Sequence, residues 1–296
     1  MMPGLQVARH ASFSYDLIGY NVRPGRLFSD GGLRAAMEYC LDKEAIVDAA
    51  TSGQAQAVYS SVPPASWAYL DVSGPGRSVG VAKGLVEASG WQLAEDGWYY
   101  KDSKRLSFEV LLRDDNEGDT DFFNRVRLKF AELAKWSLKR CGIDMQIRRV
   151  TFDDQQTLMS RQGDPALRDE DKVDASLYGW VMEADPADEM WHSRQTPERS
   201  TDPESAPNWM GFVDERVDRL VDEGIAAYSR EQREPIYREL QQIVAQERPV
   251  MFLYSYDWQE VITADLRIGD EAIDTRDRVS PMWWWRLEDL RVDRDR

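Results

Sequence analysis

Histidine and cysteine are scarce in this sequence, and acids outnumber bases. Among 296 residues there are two histidines and two cysteines. With only His10 and His192 to act as a base, no Ser-His-Asp or Cys-His set can be assembled. There is no Walker-type phosphate loop, no dinucleotide glycine fingerprint and no paired-histidine zinc motif. Lys and Arg total 37 against 53 Asp and Glu, for a formal net charge of −16. No basic patch stands out to neutralise phosphates, which argues against nucleic acid and anionic lipid surfaces as partners. The charge is compatible with cationic or zwitterionic ligands, although high net charge more often serves solubility. No apolar run approaches the roughly 18 residues that span a bilayer. The N-terminus lacks a basic stretch followed by an apolar one, so no signal peptide is visible.

What is present is enough for about two domains or lobes. The hydrophobic fraction is 42%, and 11 tryptophans are a high count: most read as core or packing residues, and a few spare indoles fit a ligand cleft. Cys40 and Cys141 each fall near the end of a helical pattern and read as free buried thiols, with a disulfide as the alternative.

Periodicity gives the elements. Residues 13–22 alternate as a strand, with Phe13, Tyr15, Leu17 and Gly19 on one face. Leu33, Ala36, Met37, Cys40 and Leu41 form a helical face, and Asp42 caps a second helix that Gly53 ends. A third helix over 78–90 buries Val81, Ala82, Leu85 and Val86, and a hairpin turns at 102–104. Leu106, Phe108, Val110 and Leu112 alternate as a strand. A helix over 120–140 follows, striped by Phe123, Val126, Phe130, Leu133, Ala134 and Ser137, then Gly142 and a strand through Ile143, Met145 and Ile147. A strand–helix–strand unit of this length implies a parallel pair.

A short helix over 152–161 precedes a charged linker. Later, Val217, Leu220, Val221, Gly224, Ile225 and Tyr228 make another helical stripe. Ser229 and Gln232 form a capping box, and Pro235 should distort the first turns of the helix that follows. Pro249 ends the helical region, and residues 250–262 and 281–292 read as strands. The alternation implies an α/β chain with a partly parallel sheet.

The chain is organised around residues 174–212. Ala175, Leu177 and Gly179 alternate as a strand, and a long polar loop with four prolines follows. That loop carries Trp180, Glu183, Asp185, Trp191, His192, Asn208 and Trp209. Indole faces and carboxylates just beyond a strand end suit a cleft for a small amphipathic solute. The plainer reading is a solvated loop with stray aromatics. Carboxylate pairs such as Glu183 with Asp185 arise by chance in a chain with 53 acids, so a two-carboxylate hydrolase is a minor alternative. His192 with Glu183 or Asp185 is a weak metal set beside a surface histidine. The sequence therefore points to no catalytic residue, no metal and no cofactor.

The order of motifs carries a resemblance. FSYDLIGYNVRPGRLFSDGGLRAAMEYCLDKEAIVDAATSG is followed by SSVPPASWAY, by AKGLVEASGW and by EDGWYYKDSKRLSFEVLL. GIDMQIRRVTFD, DASLYGWVMEADPADEMW, NWMGFVDERVDRLVDEG and QREPIYRELQQIVAQERPVMFLY complete the series. It resembles the C-terminal half of the family-5 extracellular solute-binding proteins, the peptide, oligopeptide and nickel receptors of ABC importers, over about residues 13–290.

The resemblance implies a periplasmic-binding-protein-like α/β fold of type II, two-lobed and hinged, with one nearly complete lobe and C-terminal pieces of the other. Residues 1–22 would be the end of lobe I and a hinge strand, 23–247 lobe II, and 248–296 the return hinge and the C-terminal part of lobe I. The rest of lobe I, which would lie in a missing N-terminal half of the same protein, and the permease subunits in the membrane are the implied partners. The intact protein would work in the periplasm or, membrane-anchored, outside the cell.

In peptide-binding relatives the pattern G-W-x-A-D-Y-x-D-P carries an acid for the ligand ammonium. Here Gly179-Trp180-Val181-Met182-Glu183-Ala184-Asp185-Pro186 is one residue shorter, so Glu183 and Asp185 both remain candidates. The implied ligand contacts are Trp180, Glu183, Asp185, Trp191, Asn208 and Trp209. The function implied is non-enzymatic binding of a peptide-like solute by lobe closure. An oligosaccharide binder and a ligand-sensing module of an intracellular regulator are the alternatives.

Overall fold

The computed structural model describes residues 4–115, 121–182, 185–186, 189–263, 265–268, 271–272 and 290–292. Strands β1 (Leu5–Ala11) and β2 (Ser14–Tyr20) open the chain. Helices α1 (Gly31–Cys40) and α2 (Lys43–Thr51) follow, each started by an aspartate whose carboxylate accepts backbone N–H groups: Asp30 for α1 and Asp42 for α2. The short strand β3 (Ala55–Ala57) and helix α3 (Val79–Ala88) lead to a small antiparallel sheet of β4 (Gln92–Leu93), β5 (Tyr99–Lys101) and β6 (Lys104–Arg105). Its tight turn places Asp102 and Ser103 at φ 49° and 62°, the left-handed pair that two-residue hairpins favour.

The strand–helix–strand unit forms as the periodicity predicts. β7 (Ser107–Arg113) and β8 (Asp144–Val150) are parallel and joined by α4 (Phe122–Arg140). Gly142 ends the unit's helix at φ +78°, where a Cβ would come within 2.9 Å of both the Gly97 carbonyl and the Tyr99 ring. The second half adds α5 (Phe152–Ser160), β9 (Ala175–Val181), α6 (Glu215–Ala226) and α7 (Arg230–Glu247). The chain then returns through the 14-residue β10 (Val250–Thr263) to β11 (Leu266–Ile268), β12 (Glu271–Ala272) and β13 (Leu290–Val292). Most of the expected 281–292 strand lies outside the described residues. The capping box of Ser229 and Gln232 is present. α7 runs through Pro235 without interruption, because a proline this near the start forfeits one backbone bond while packing holds the rest.

The main sheet runs β1-β10-β2-β9-β7-β8, parallel where β7 meets β8 and β9, and antiparallel elsewhere. It has a core on each face. Ile18, Tyr20, Val110, Leu112, Met251 and Leu253 pack against α1, α2 and α4. Tyr15, Leu17, Leu111, Val250 and Phe252 pack against α5, α6 and α7. A sheet covered on both sides needs strands that are apolar on both faces, which is why β2 and the start of β10 are buried at nearly every position.

Two expectations change. Cys40 and Cys141 are joined in a disulfide, with Cα atoms 6.3 Å apart. They lie at the C-terminal ends of α1 and α4, which the fold brings together within the core. β2 and β10 are both central strands of the main sheet. Beyond that sheet's centre β1 pairs with the outer part of β10, from Asp257 to Thr263, as a two-stranded ribbon. Finally, Phe123, Val81, Ile225 and Tyr228 are exposed rather than core residues, since the stripes drift to the solvent side at the helix ends.

Candidate functional site

Parallel strands leave their carboxyl ends free to build a crevice. Here the ends of β7 and β9, together with α5 and the segment 204–209, enclose a cleft of about 330 Å³, the size of a small-solute site. Trp180, Tyr178, Phe152 and Trp209 supply its aromatic surfaces. Trp209 donates from Nε1 to Tyr178 Oη at 3.1 Å, and Arg23 donates to the Trp209 backbone carbonyl at 2.6 Å, so indole and backbone are each anchored. Gln155 donates to Ser176 Oγ at 3.0 Å and to the Leu177 carbonyl at 3.1 Å, which pins α5 to β9.

Two of the three charged side chains that line the cleft, Arg127 and Arg113, are paired with carboxylates, and the third is Glu204. Asp16 on β2 accepts from Arg127 Nε at 3.1 Å and from Nη2 at 2.8 Å, behind Gly179. The two side chains are 6% and 16% exposed, so the pair is largely withdrawn from water. Burial opposes the Arg127 charge, but Asp16 outweighs it and the guanidinium is held above its ordinary value. Arg113 pairs with Asp115 and lies over the Phe152 ring, whose own backbone N–H donates to Asp115 at 2.6 Å. The result is an aromatic floor whose two arginines are already neutralised, with the Glu204 carboxylate at its wall, suited to an amphipathic solute.

The six sequence candidates separate. Trp180 and Trp209 wall this cleft together. Glu183 lies outside the described residues. Asp185 is engaged by Arg233, which donates from Nη1 at 2.8 Å. Trp191 is a core residue, packed on Phe252 at 6.0 Å between ring centroids. Asn208 is wholly buried and clamps the loop: it donates to the His192 and Phe212 carbonyls and accepts from Phe212 N. His192 lies between Asp218 and Asp222, at 3.4 and 3.5 Å. Among the described residues no group of three or more His, Cys, Asp or Glu could hold a metal ion.

Sequence reasoning missed Asp16, Arg127 and Arg113. Asp16 had a signal: a lone acid inside an apolar strand must find a partner when buried. Arg127, on the polar-looking side of α4, had none.

The sequence matches the family described as bacterial extracellular solute-binding proteins, family 5 middle, over residues 1–202. The oligopeptide-binding protein AppA of Bacillus subtilis (strain 168) is 26% identical over 286 residues, covering 95% of this chain and 48% of AppA. The solved structure of that AppA with a nonapeptide has a TM-score of 0.71 at 23% identity, covering 99% of this chain and 53% of the other. NikZ of Campylobacter jejuni, solved with Ni(L-His), gives 0.70 at 20% identity, covering 98% and 54%. The ABC transporter substrate-binding protein CtaP of Listeria monocytogenes gives 0.71 at 17% identity, covering 98% and 52%. The chain thus spans about half the length of these relatives. With the profile matched over most of the chain and the fold shared throughout, this protein belongs to the family 5 extracellular solute-binding proteins.

Proposed function

We propose that the chain forms one lobe of a non-enzymatic solute-binding protein serving ABC import, and that its solute is peptide-like. The observation that carries this reading is the aromatic cleft at the carboxyl ends of β7 and β9, with Trp180 in its wall. A peptide backbone lies well against indole and phenol faces that also offer fixed polar edges. AppA of Bacillus subtilis, one relative of known structure, was solved in complex with a nonapeptide. Trp180 and Trp209 are the proposed contacts on this lobe. Because Asp185 is committed to Arg233, Glu183 is the proposed acid for the ligand ammonium. The ribbon of β1 and outer β10 would lead to the second lobe, supplied by an N-terminal portion of the same protein. Closure of the two lobes would present the loaded cleft to permease subunits on the periplasmic or outer side of the membrane.

Calorimetry of the complete two-lobed protein, this chain together with the N-terminal portion, tests this with trialanine and with maltotriose. Trialanine should bind saturably and remain intact, Trp180→Ala should weaken it, and Glu183→Gln should cost roughly 2–5 kcal/mol. Binding of maltotriose in place of trialanine, or binding of trialanine indifferent to both substitutions, would sink the peptide reading.

A further inference from the structure

A second hollow of about 250 Å³ lies across Gly179 and Trp180 from the cleft, on the other side of the Asp16–Arg127 pair. Its walls are Trp180, Phe123, Trp258, Tyr254 and Tyr256. Phe123 packs on Tyr256 with ring centroids 5.5 Å apart, and Tyr254 stands edge-on to Tyr256 at 5.5 Å. Phe123 is 41% exposed and Trp258 56% exposed. Large aromatics facing water in this way have area left for a ligand.

The polar interior is more telling. Tyr254 Oη and Tyr256 Oη are buried and make no hydrogen bond among the described residues. Tyr254 is completely enclosed and faces Asp16, a carboxylate already engaged by Arg127. Burial pushes both phenols above their ordinary value, so both stay protonated and able to donate. Buried hydroxyls ordinarily find partners, and two orphans in one hollow call for a polar group from outside. That group is not a lone cation, because Arg127 already neutralises Asp16 at the floor. The hollow is smaller than a whole-ligand pocket of about 300 Å³ or more, but it can take one ring.

We infer that this hollow is a specificity subsite for an aromatic side chain with a polar tip, the tyrosine class, of the bound solute. The inference rests on the peptide-like reading above for the identity of the rest of that solute. The ring packs edge and face against Trp180, Trp258 and Phe123, and its tip exchanges hydrogen bonds with Tyr254 and Tyr256.

The test uses blocked probes that need no ammonium site: N-acetyl-tyrosinamide, N-acetyl-phenylalaninamide, N-acetyl-alaninamide and methyl glucoside, titrated into the 296-residue chain and followed by NMR. The tyrosine probe should bind best, the phenylalanine probe several-fold more weakly, and the other two weakest. Trp258→Ala should weaken the tyrosine probe by roughly ten-fold. Trp258 is more than half exposed and its indole donates to Ser12 Oγ, so that variant should still fold. Tyr256→Phe should erase the tyrosine-over-phenylalanine preference. Failure of every probe to bind, equal binding of the alanine probe, preference for the glucoside, or indifference to Trp258→Ala each overturns the subsite. Trialanine, which has no ring, decides the peptide reading separately.

Discussion

Gly179 separates the two hollows, and adding a single methyl group there tests the architecture. A Cβ at this position would lie 2.5 Å from Arg127 Nη2 and 2.7 Å from Asp16 Oδ1. Ordinary contact needs about 3.4 Å, so the guanidinium must move by close to an ångström. It is held by Asp16 at two nitrogens and by Asn124 Oδ1 at 3.2 Å, and cannot swing away freely. The movement sacrifices the 2.8 Å bond from Nη2 and retains the 3.1 Å bond from Nε. A hydrogen bond between charged groups is worth about 1.5–3 kcal/mol, so Gly179→Ala should destabilise by that amount. Arg127→Met alone should cost about 3–5 kcal/mol, because Asp16 is left buried without its partner. In the Arg127→Met background the added methyl meets a flexible thioether chain, and its cost should fall by about 1 kcal/mol or more. Urea unfolding of the four proteins, followed by circular dichroism, gives the coupling. If the methyl costs the same with and without Arg127, the ion pair is not what Gly179 accommodates.

Two further predictions follow from buried groups. Removing the disulfide by Cys40→Ala with Cys141→Ala should cost about 2–5 kcal/mol, as expected for a bond closing a long loop; a thiol reagent that labels either cysteine in the unreduced, unfolded chain would contradict the pairing. Lys43 is enclosed, donates to the Phe252 carbonyl at 2.7 Å, and has its ammonium lowered by burial to about 8 against an ordinary value of 10.5. Between those values the unfolded chain binds more protons than the folded one, so this group's contribution to stability rises with pH, by at most about 1.4 kcal/mol per pH unit. The stability difference between the native chain and Lys43→Met, measured by chemical denaturation, should therefore rise from about pH 8 to about pH 10; a flat or falling difference argues against the assignment.

The sequence made some of this legible and concealed the rest, for definite reasons. The β7–α4–β8 unit was readable because alternation, a three-and-four stripe and a terminal glycine agree over forty-odd residues. The Ser229 capping box was readable because it is local. The Asp16–Arg127 pair joins residues 111 apart and leaves no periodic trace. The segment holding Trp191 and Asn208 looks like a solvated loop, yet it is folded inward, with Asn208 supplying the bonds that its backbone lacks. Trp180 and Trp209 could be proposed as neighbours, but only the sheet order showed that a second hollow lies beyond them.

The disulfide also sets a clock. Cys141 follows Cys40 by 101 residues, and ribosomes add roughly 5–20 residues per second. Cys40 therefore exists for several seconds before its partner has been synthesised at all. The bond cannot yet exist when α1 and α3, which pack together, have been made. It arrives as a latch, closed only after α4 has been completed and laid across the sheet.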